Sequence, residues 1–285
     1  MTLIQAIVLG IVQGLTEFIP VSSTAHLRIV PALLGWHFYN SATDTTTNDP
    51  GAAFTAVIQL GTTVAVVLYF WRELVHVLMA WFHGIRDATH RESLEYRMGW
   101  YLIIATIPVS VFGLAFSHQI ETAARNLWVI STALIVFAIV LYIADKRATL
   151  DREEEELNRT DSIIVGSAQA LALIPGASRS GTTISAGLFR GLDREAAARF
   201  SFLLSIPAVV LSGLYEMRHI GDAGAPGAGL TAIALICAFV VGLASIHWLM
   251  RWLAHHNTYR FVYYRIGLGL LVMGLLAGGV LDATS

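Results

Sequence analysis

Residues 13–26 read Gln13-Gly14-Leu15-Thr16-Glu17-Phe18-Ile19-Pro20-Val21-Ser22-Ser23-Thr24-Ala25-His26, a polar stretch inside an N-terminal run that is otherwise apolar. It carries a carboxylate, an amide, an imidazole and several hydroxyls, groups that are costly in hydrocarbon unless they find a partner or a water-filled cavity. A second polar stretch, Pro175-Gly176-Ala177-Ser178-Arg179-Ser180-Gly181-Thr182-Thr183, interrupts another apolar region and supplies a positive charge. We interpret the two stretches as halves of one buried site for an anionic group.

The composition of the chain indicates a membrane protein. Of its 285 residues, 55% are hydrophobic and 13% are charged, whereas soluble domains carry about 25% charged residues. The mean hydropathy is +0.64. We therefore predict an all-α polytopic membrane protein. The sequence has no domain-sized basic surface, so we expect no nucleic-acid partner. The N-terminal run has no basic residue before it, so we do not expect a cleaved signal peptide.

Apolar segments of about 20 residues predict membrane-spanning helices. Six segments come close to this length: 52–71, 99–116, 127–144, 199–217, 229–250 and 265–281. Two further apolar stretches, 1–37 and 161–192, are each broken in the middle, at Pro20 and at Pro175-Gly176. We predict six transmembrane helices and two re-entrant helix-turn-helix hairpins. Residues 38–50 are expected to form a polar loop, and the basic, amphipathic segment 72–98 to lie at the membrane interface.

The positions of Lys and Arg in the loops predict the orientation. Three connections hold most of these residues, and we assign them to the cytoplasm: Arg72, Arg86, Arg91, Arg97, Lys146, Arg147, Arg152, Arg159, Arg251, Arg260 and Arg265. The opposite loops, 38–50, 117–126 and 218–228, hold only Arg125 and Arg218. Six spans fit this alternation if each broken stretch enters and leaves on one side. The first hairpin then dips in from outside and the second from the cytoplasm, with both termini outside.

This topology predicts an inverted repeat within a single membrane domain, residues 1–285. Residues 1–144 form the first half, 161–285 the second, and 145–160 a cytoplasmic linker. Gly10-Ile11-Val12-Gln13 resembles Gly166-Ser167-Ala168-Gln169, and an Ile-Pro pair and a hydroxyl-rich turn follow in both halves. Broken helices at corresponding positions of inverted halves indicate a binding site near the membrane midplane.

The first polar turn combines groups that suit phosphate chemistry. Gln13 and Glu17 lie four residues apart and so share one helix face. The hydroxyls after Pro20 fit the start of a new helix, where one of them would cap the backbone and the free N–H groups favour an anion: Ser22, Ser23 and Thr24. The spacing of Ser23 and His26 places a hydroxyl beside an imidazole, an activated-nucleophile arrangement. A packing pair of Gln13 and a protonated Glu17 is the structural alternative.

The second polar turn surrounds an arginine with hydroxyls. The planar fork of Arg179 matches two phosphate oxygens. The structural alternative is a buried ion pair of Arg179 with Glu17, which would be weak evidence of stability. Neither turn matches a Walker or dinucleotide fingerprint. A carboxylate with a divalent cation would also suit a diphosphate, because Mg²⁺ takes one or two carboxylates together with phosphate oxygens.

Three motifs resemble those of the undecaprenyl-diphosphate phosphatase family, the BacA type linked with bacitracin resistance. They are Gln13-x-x-x-Glu17, Pro20-Val-Ser-Ser-Thr-x-His26 and Pro175-Gly-x-Ser178-Arg179-Ser180-Gly-x-Thr183, and the resemblance covers nearly the whole chain. It implies hydrolysis of undecaprenyl diphosphate to the monophosphate carrier of peptidoglycan synthesis, with Mg²⁺ or Ca²⁺ as cofactor. It also implies a bacterial inner-membrane protein whose active site opens to the periplasmic side. Many members carry Glu where this chain has Gln13, so Glu17 is the only acid of the pair.

We predict phosphoanhydride hydrolysis with four catalytic residues: Glu17, Ser23, His26 and Arg179. Ser23 is the candidate nucleophile and His26 its acid/base partner, since an unperturbed imidazole pKa of about 6.5 suits that role. Glu17 orients His26 or, with Gln13, holds the cation. Arg179 and the helix N-termini bind the diphosphate. Hydrogen bonds to phosphate are assigned to Ser22, Thr24, Ser178, Ser180 and Thr183.

Several alternatives use the same residues. Water could attack directly, or a phosphohistidine could form at His26. A lipid-phosphate transporter or flippase would also place an anion site at the midplane of an inverted repeat. In either case the partners are a polyprenyl diphosphate or related lipid, whose tail lies in a groove between spans, and the surrounding membrane lipids. The sequence leaves open whether the chain acts as a homodimer.

Overall fold

The computed structural model describes residues 1–40, 45–116, 126–216 and 227–283, and helices dominate this part of the chain. The helices, numbered here in chain order, are α1 Leu3–Thr16, α2 Ser23–Leu33, α3 Ala52–Tyr69, α4 Trp71–Arg86, α5 Leu94–Ala115, α6 Leu127–Arg147, α7 Arg159–Ala170, α8 Arg179–Phe189, α9 Arg194–Glu216, α10 Ala228–Leu253 and α11 Tyr259–Ala277. Short 3₁₀ turns cover Ala88–His90, Glu154–Glu156 and Leu171–Leu173.

Both predicted breaks in the apolar stretches are present. α1 and α2 are separated by a turn that contains Pro20, and α7 and α8 by a 3₁₀ turn followed by Pro175-Gly176. Proline interrupts a helix because it lacks an N–H and its ring clashes with the preceding turn. The 14-residue α1 and the 12-residue α7 reach only about 21 Å and 18 Å at 1.5 Å per residue. Each is shorter than the roughly 30 Å of hydrocarbon in a bilayer.

The described helices include several that can cross a membrane, which makes this a multi-pass membrane protein. Four of them are long and apolar enough: α5, α6, α10 and α11. The pair α3–α4 meets the same criterion together but bends by 76° at its junction, so up to five spans can be counted. The remaining predicted span, 199–217, corresponds to α9. The amphipathic helix α4 departs from the direction of α3 at this bend, and it lies in the segment that the sequence assigns to the interface.

Two regions differ from the sequence prediction. The expected loop 38–50 contains a short antiparallel pair, β1 Phe38–Asn40 and β2 Thr45–Thr47, with Phe38 opposite Thr47. Aromatic and threonine residues favour strands, which accounts for the pairing. Residues 41–44 of that loop, and most of the loops predicted at 117–126 and 218–228, lie outside the described residues. Arg265, assigned above to a loop, lies instead inside α11 and is fully buried.

Close helix contacts at glycines hold the two hairpins against the spans. A Cβ atom at Gly10 of α1 would lie 2.3 Å from the carbonyl oxygen of Ala234 in α10. A Cβ atom at Gly166 of α7 would lie 2.5 Å from the carbonyl oxygen of Ala105 in α5. Small residues let backbones approach in this way in membrane helices. α3 packs between α9 and α10, and α6 packs along α11. The two turns therefore meet in the interior of the helix assembly.

Candidate active site

The two polar turns have nearly the same backbone geometry. Ser22 precedes α2 with φ 75° and ψ 98°, and Ser178 precedes α8 with φ 73° and ψ 113°. Positive φ is uncommon for residues other than glycine, and such strain concentrates at functional sites. Each serine hydroxyl accepts a hydrogen bond from the backbone three residues on, Ala25 N at 3.3 Å and Gly181 N at 3.2 Å. Both serines are therefore helix caps, a role that was expected of one hydroxyl in the first turn.

A second hydroxyl supports each cap. The Ser22 and Thr24 hydroxyls lie 3.1 Å apart, and those of Ser178 and Ser180 lie 3.2 Å apart. Because these bonds recur at the same spacing, the two turns offer two similar helix N-termini. The free backbone N–H groups of such termini attract anions.

Glu17 joins the two turns and is surrounded by donors. Its Oε1 accepts from Arg179 Nη2 and from Gln59 Nε2, each at 3.1 Å. Its Oε2 accepts from Ser23 Oγ at 2.7 Å and from Gln13 Nε2 at 2.9 Å. The carboxylate is 6% exposed. The predicted meeting of Glu17 with Arg179 is confirmed, and the ion pair that was weighed as a structural alternative is present as well.

The hydroxyl of Ser23 has a carboxylate as its partner rather than an imidazole. Its hydrogen bond goes to Glu17, as given above. His26 instead bonds through Nδ1 to the Ser22 carbonyl and through Nε2 to the Tyr264 hydroxyl, both at 2.7 Å. A carbonyl only accepts, so Nδ1 carries a proton, and Nε2 of a neutral ring accepts from Tyr264. The expectation that His26 lies beside Ser23 therefore does not match the contacts, because Ser23 opens α2 and faces back toward Glu17.

Arg179 is held by the turn and keeps one donor unused. Nη1 donates to the Ser201 carbonyl at 3.2 Å, while Nε finds no partner among the described residues. The Thr183 hydroxyl donates to the Arg179 carbonyl at 2.7 Å and lies 2.6 Å from the Ser201 hydroxyl. Thr183 and Ser180 are fully buried, so they support the backbone around Arg179.

A second arginine fixes the two turns to each other. Arg265 is 0% exposed. Its guanidinium donates to the carbonyl oxygens of Pro20 at 3.2 Å, Gly176 at 2.9 Å and Ala177 at 2.9 Å, and to Leu134 at 3.3 Å. Its charge adds to that of Arg179, whereas Glu17 is the acid at these turns. The site therefore carries a net positive charge, which suits an anion.

The turns border a cavity of about 220 Å³. Its polar lining is Glu17, Ser22, Ser23, Thr24, Gln59, Gln169, Ser178 and Arg179, and its apolar lining includes Val109, Leu173 and Val209. Among the predicted site residues, Gln13, His26, Ser180 and Thr183 do not line it. Sequence reasoning missed Gln59, Gln169, Tyr264 and Arg265 as parts of the site. Only Gln169 had a signal, its match to Gln13 in the repeat.

Comparison with known proteins places the chain in a family. The family model described as "Bacitracin resistance protein BacA" matches residues 6–271. The chain belongs to the BacA family. A relative named "Undecaprenyl-diphosphatase" from Mycolicibacterium smegmatis is 50% identical over 290 residues, covering 99% of this chain and 100% of the relative. Relatives of the same name are 51% identical in Mycobacterium sp. (strain KMS), with 99% and 100% coverage, and 48% identical in Myxococcus xanthus, with 100% and 93% coverage. The resemblance noted in the sequence is confirmed.

The predicted metal ligands of this BacA-family chain fit a protein-held cation poorly. Each oxygen of Glu17 already accepts two hydrogen bonds, so its lone pairs are occupied. Gln13 contributes one unpartnered oxygen, Oε1. Within the described residues, no three His, Cys, Asp or Glu side chains lie close enough to hold a metal ion. Within the part of the chain that the structure describes, His, Cys, Asp and Glu side chains alone do not form a site for Mg²⁺ or Ca²⁺.

Proposed function

We propose that this chain hydrolyses undecaprenyl diphosphate to undecaprenyl phosphate and inorganic phosphate. The observation that carries the proposal is the array of Ser23, Glu17 and Arg179 at two helix N-termini, beside a cavity. Relatives that are about half identical bear the name of this activity. The reaction returns the lipid carrier to peptidoglycan synthesis and accounts for bacitracin resistance as a trait of the family.

Binding of the diphosphate uses the fixed positive groups. The N-termini of α2 and α8 lie at the turns that border the cavity, and Arg179, whose Nε–H has no partner among the described residues, is one of the lining residues. Donors that are already in place stabilise charge as it develops in the transition state without further reorganisation. The hydroxyls at the mouth of each turn, on Ser22, Thr24 and Ser178, are placed to complete the phosphate contacts.

Ser23 is the proposed nucleophile and Glu17 its base. The Ser23 hydroxyl transfers its proton to Glu17 as Oγ attacks the terminal phosphorus. The bond from that phosphorus to the bridging oxygen breaks, and undecaprenyl phosphate leaves. Glu17 passes its proton to the departing undecaprenyl phosphate and becomes a carboxylate again. Water, deprotonated by Glu17, then attacks the phosphoserine, and Glu17 returns that proton to Ser23 Oγ as inorganic phosphate is released. Direct attack by water on the diphosphate would use the same carboxylate, and trapping of a phosphoenzyme distinguishes the two routes.

The prenyl tail is proposed to leave the cavity between α5 and α9. Val109 of α5 and Val209 of α9 line the cavity. Each follows a proline inside its helix: Val109 comes directly after Pro108, and Val209 comes two residues after Pro207. Proline removes a helix hydrogen bond and kinks the helix, which opens space between neighbours. Leu173 continues the apolar wall beside the second turn. A lipid-facing exit explains why a phosphatase site lies inside a membrane protein.

The proposed topology is an inverted repeat of residues 1–144 and 161–285, joined by the linker 145–160. It consists of six spans and two re-entrant hairpins. It is supported by the matching turns at Ser22 and Ser178, and by the pairing of α1 with α10 and of α7 with α5. The loop charges, without Arg265, support a cytoplasmic side for α4 and the linker, and we propose that the cavity opens to the periplasm of a bacterial inner membrane. Cysteine labelling of the linker from either side tests this orientation.

Dependence on Mg²⁺ or Ca²⁺ stays a prediction. Phosphate oxygens of the substrate would supply most ligands to such an ion, and of the two predicted protein ligands Gln13 has an unpartnered oxygen, Oε1. Chelation is then expected to lower turnover while leaving the melting temperature of the substrate-free protein unchanged. A melting temperature that falls on chelation would indicate a site held by the protein alone.

Phosphate release from undecaprenyl diphosphate by the purified protein in detergent tests the function. Hydrolysis needs one compartment, whereas the lipid transport that an inverted repeat could also support needs two. We expect wild-type turnover, and its loss in Ser23→Ala with lipid binding retained. Ser245→Ala is the matched control, because this buried serine bonds only within α10, to the Val241 carbonyl. Near-normal release by Ser23→Ala would remove Ser23 as the nucleophile.

A further inference from the structure

Gln169 presents a buried amide with no hydrogen bonds. It lies in the last turn of α7, is 1% exposed and lines the cavity. Neither its Nε2 nor its Oε1 has a partner among the residues that the structure describes. Buried polar groups are nearly always satisfied, so an amide with both atoms unpartnered, in a residue that lines a cavity, indicates a ligand.

Comparison with Gln13 identifies what is missing. Gln13 and Gln169 occupy matching positions of the two hairpins, in Gly10-Ile11-Val12-Gln13 and Gly166-Ser167-Ala168-Gln169. Gln13 donates through Nε2 to Glu17, four residues later, at 2.9 Å. Four residues after Gln169 stands Leu173, so the second hairpin has the amide without its acid. An anionic oxygen from outside the protein can fill that place.

A second unpartnered donor belongs to another residue that lines the same cavity. Arg179 also lines it, and its Nε–H is likewise unpartnered within the described structure. Two unused donors suit a tetrahedral oxyanion. The Gln169 carbonyl additionally requires a donor, which a fully ionised anion lacks. A phosphate with a second pKa of about 6 retains one proton in part of the population near neutral pH, and so offers O–H and P–O side by side to the two atoms of the amide.

We propose that Gln169 binds the terminal phosphoryl group of the diphosphate, and the inorganic phosphate released from it, through both atoms of its side-chain amide. The inference rests on the proposed function for the identity of the lipid, and on the unpaired amide for the site. Gln169 is thus a specificity-determining residue. It contacts the phosphate that distinguishes the substrate from the monophosphate product, which lacks that group.

Gln169→Leu tests the proposal, since leucine preserves much of the volume and removes the hydrogen bonds. We expect the inhibition constant of inorganic phosphate to rise about tenfold and kcat/KM for undecaprenyl diphosphate to fall about 10–100-fold, as for loss of one or two hydrogen bonds to a charged group. The melting temperature should stay equal or rise, because an unsatisfied amide has been removed. Gln169→Met is the second variant if the leucine protein does not fold.

Thr106→Val is the matched control, because Thr106 is a buried residue of neighbouring α5 whose hydroxyl bonds to the Leu102 carbonyl. It should leave both kinetic constants unchanged. A folded Gln169 variant with an unchanged phosphate inhibition constant would overturn the proposal, as would a lowered melting temperature with unchanged constants, which indicates a structural role.

Calorimetric titration with pyrophosphate separates this inference from the proposed function. If wild-type protein binds pyrophosphate, Gln169→Leu weakens that binding, and no lipid is hydrolysed, the phosphate contact stands while the proposed function fails. If lipid is hydrolysed but the variant binds pyrophosphate as tightly as wild type, the function stands and the Gln169 contact is wrong.

Discussion

At the scale of single residues, the arrangement around Glu17 shows what spacing can predict and what it cannot. A buried carboxylate and a buried arginine each need a partner, so the contact of Glu17 with Arg179 followed from the sequence. The partner of Ser23 did not. The rule that residues three apart share a face holds within a helix, whereas Ser23 begins one and its hydroxyl faces the turn behind it. Gln59 and Tyr264 come from other helices, and no local pattern assigns them.

A double-mutant cycle separates the catalytic from the structural role of the ion pair. Glu17→Gln should lower kcat at least 100-fold by removing the base. It should also destabilise the protein by about 3 kcal/mol, because Arg179 is left as a buried charge. In the double variant Glu17→Gln, Arg179→Met, stability should largely return while phosphate release stays absent. Recovery of activity together with stability would reduce the pair to a structural salt bridge.

His26 is expected to position Ser22 rather than exchange protons with Ser23. Its Nδ1 proton is held by the Ser22 carbonyl and its Nε2 is occupied by Tyr264. We predict that His26→Asn lowers kcat/KM about tenfold, with Tyr264→Phe causing a smaller loss, whereas Ser23→Ala abolishes turnover. Initial rates of phosphate release compare the three variants. A loss in His26→Asn as severe as in Ser23→Ala would restore the imidazole as the acid/base group.

At the scale of elements, the sequence located the half-helices but not what binds them together. Pro20 and Pro175-Gly176 mark both breaks, since proline cannot continue a helix. The guanidinium that spans the breaks comes from α11, far along the chain. Its charge suggested a loop, because hydropathy cannot distinguish an arginine in water from one enclosed by carbonyl groups. The small β1–β2 pair was missed for a related reason: three-residue strands carry too little periodicity to detect.

Replacing Arg265 should loosen both turns at once. Arg265→Met leaves four carbonyl acceptors without their donor, and we expect a loss of about 3–5 kcal/mol in unfolding free energy. Arg265→Lys should recover only part of this, since one ammonium cannot reach all four oxygens. Melting curves in detergent measure the effect. Arg260→Gln, at an exposed position in the first turn of the same helix, is the control and should change little.

At the scale of the whole molecule, hydropathy predicted the spans because lipid imposes a simple rule on composition. The connections between halves follow other forces. Arg199 of α9 binds Glu73 of α4 at 2.9 Å and Glu154 of the linker at 3.2 Å. Burial and the negative charge of Glu73 raise the pKa of Glu154, and the positive charge of Arg199 lowers it. The net result is a pKa of about 7. Such a cluster depends on three segments that lie far apart along the chain, so no local sequence pattern predicts it.

This cluster should make stability depend on pH. The pKa of Glu154 is higher in the folded protein than its ordinary value of 4.5. The folded state therefore binds the proton more tightly, and the stability it gains below about pH 4.5 is lost as the pH rises to about 7. Glu154→Gln should reduce the change in melting temperature between pH 5 and 8. At pH 8 the variant's free energy of unfolding should exceed that of the wild type by at most about 2 kcal/mol.

The exposed neighbour Glu155 provides the comparison for this pH series. Glu155→Gln should retain the wild-type slope of melting temperature against pH. Equal slopes in the wild type and Glu154→Gln would show that the proton resides elsewhere.

The hydrogen bonds of Arg265 to both polar turns also limit how the protein can move. A rocking cycle that exposes a headgroup first to one leaflet and then to the other requires the two hairpin tips to part. Here a single side chain from α11 clasps Pro20 on one tip and Gly176 and Ala177 on the other. Separating the two tips would leave the buried Arg265 guanidinium without some of its carbonyl acceptors each time a lipid was transported. These contacts favour two turns that stay together during turnover, so in the proposed function the lipid product would leave between α5 and α9 without their separation.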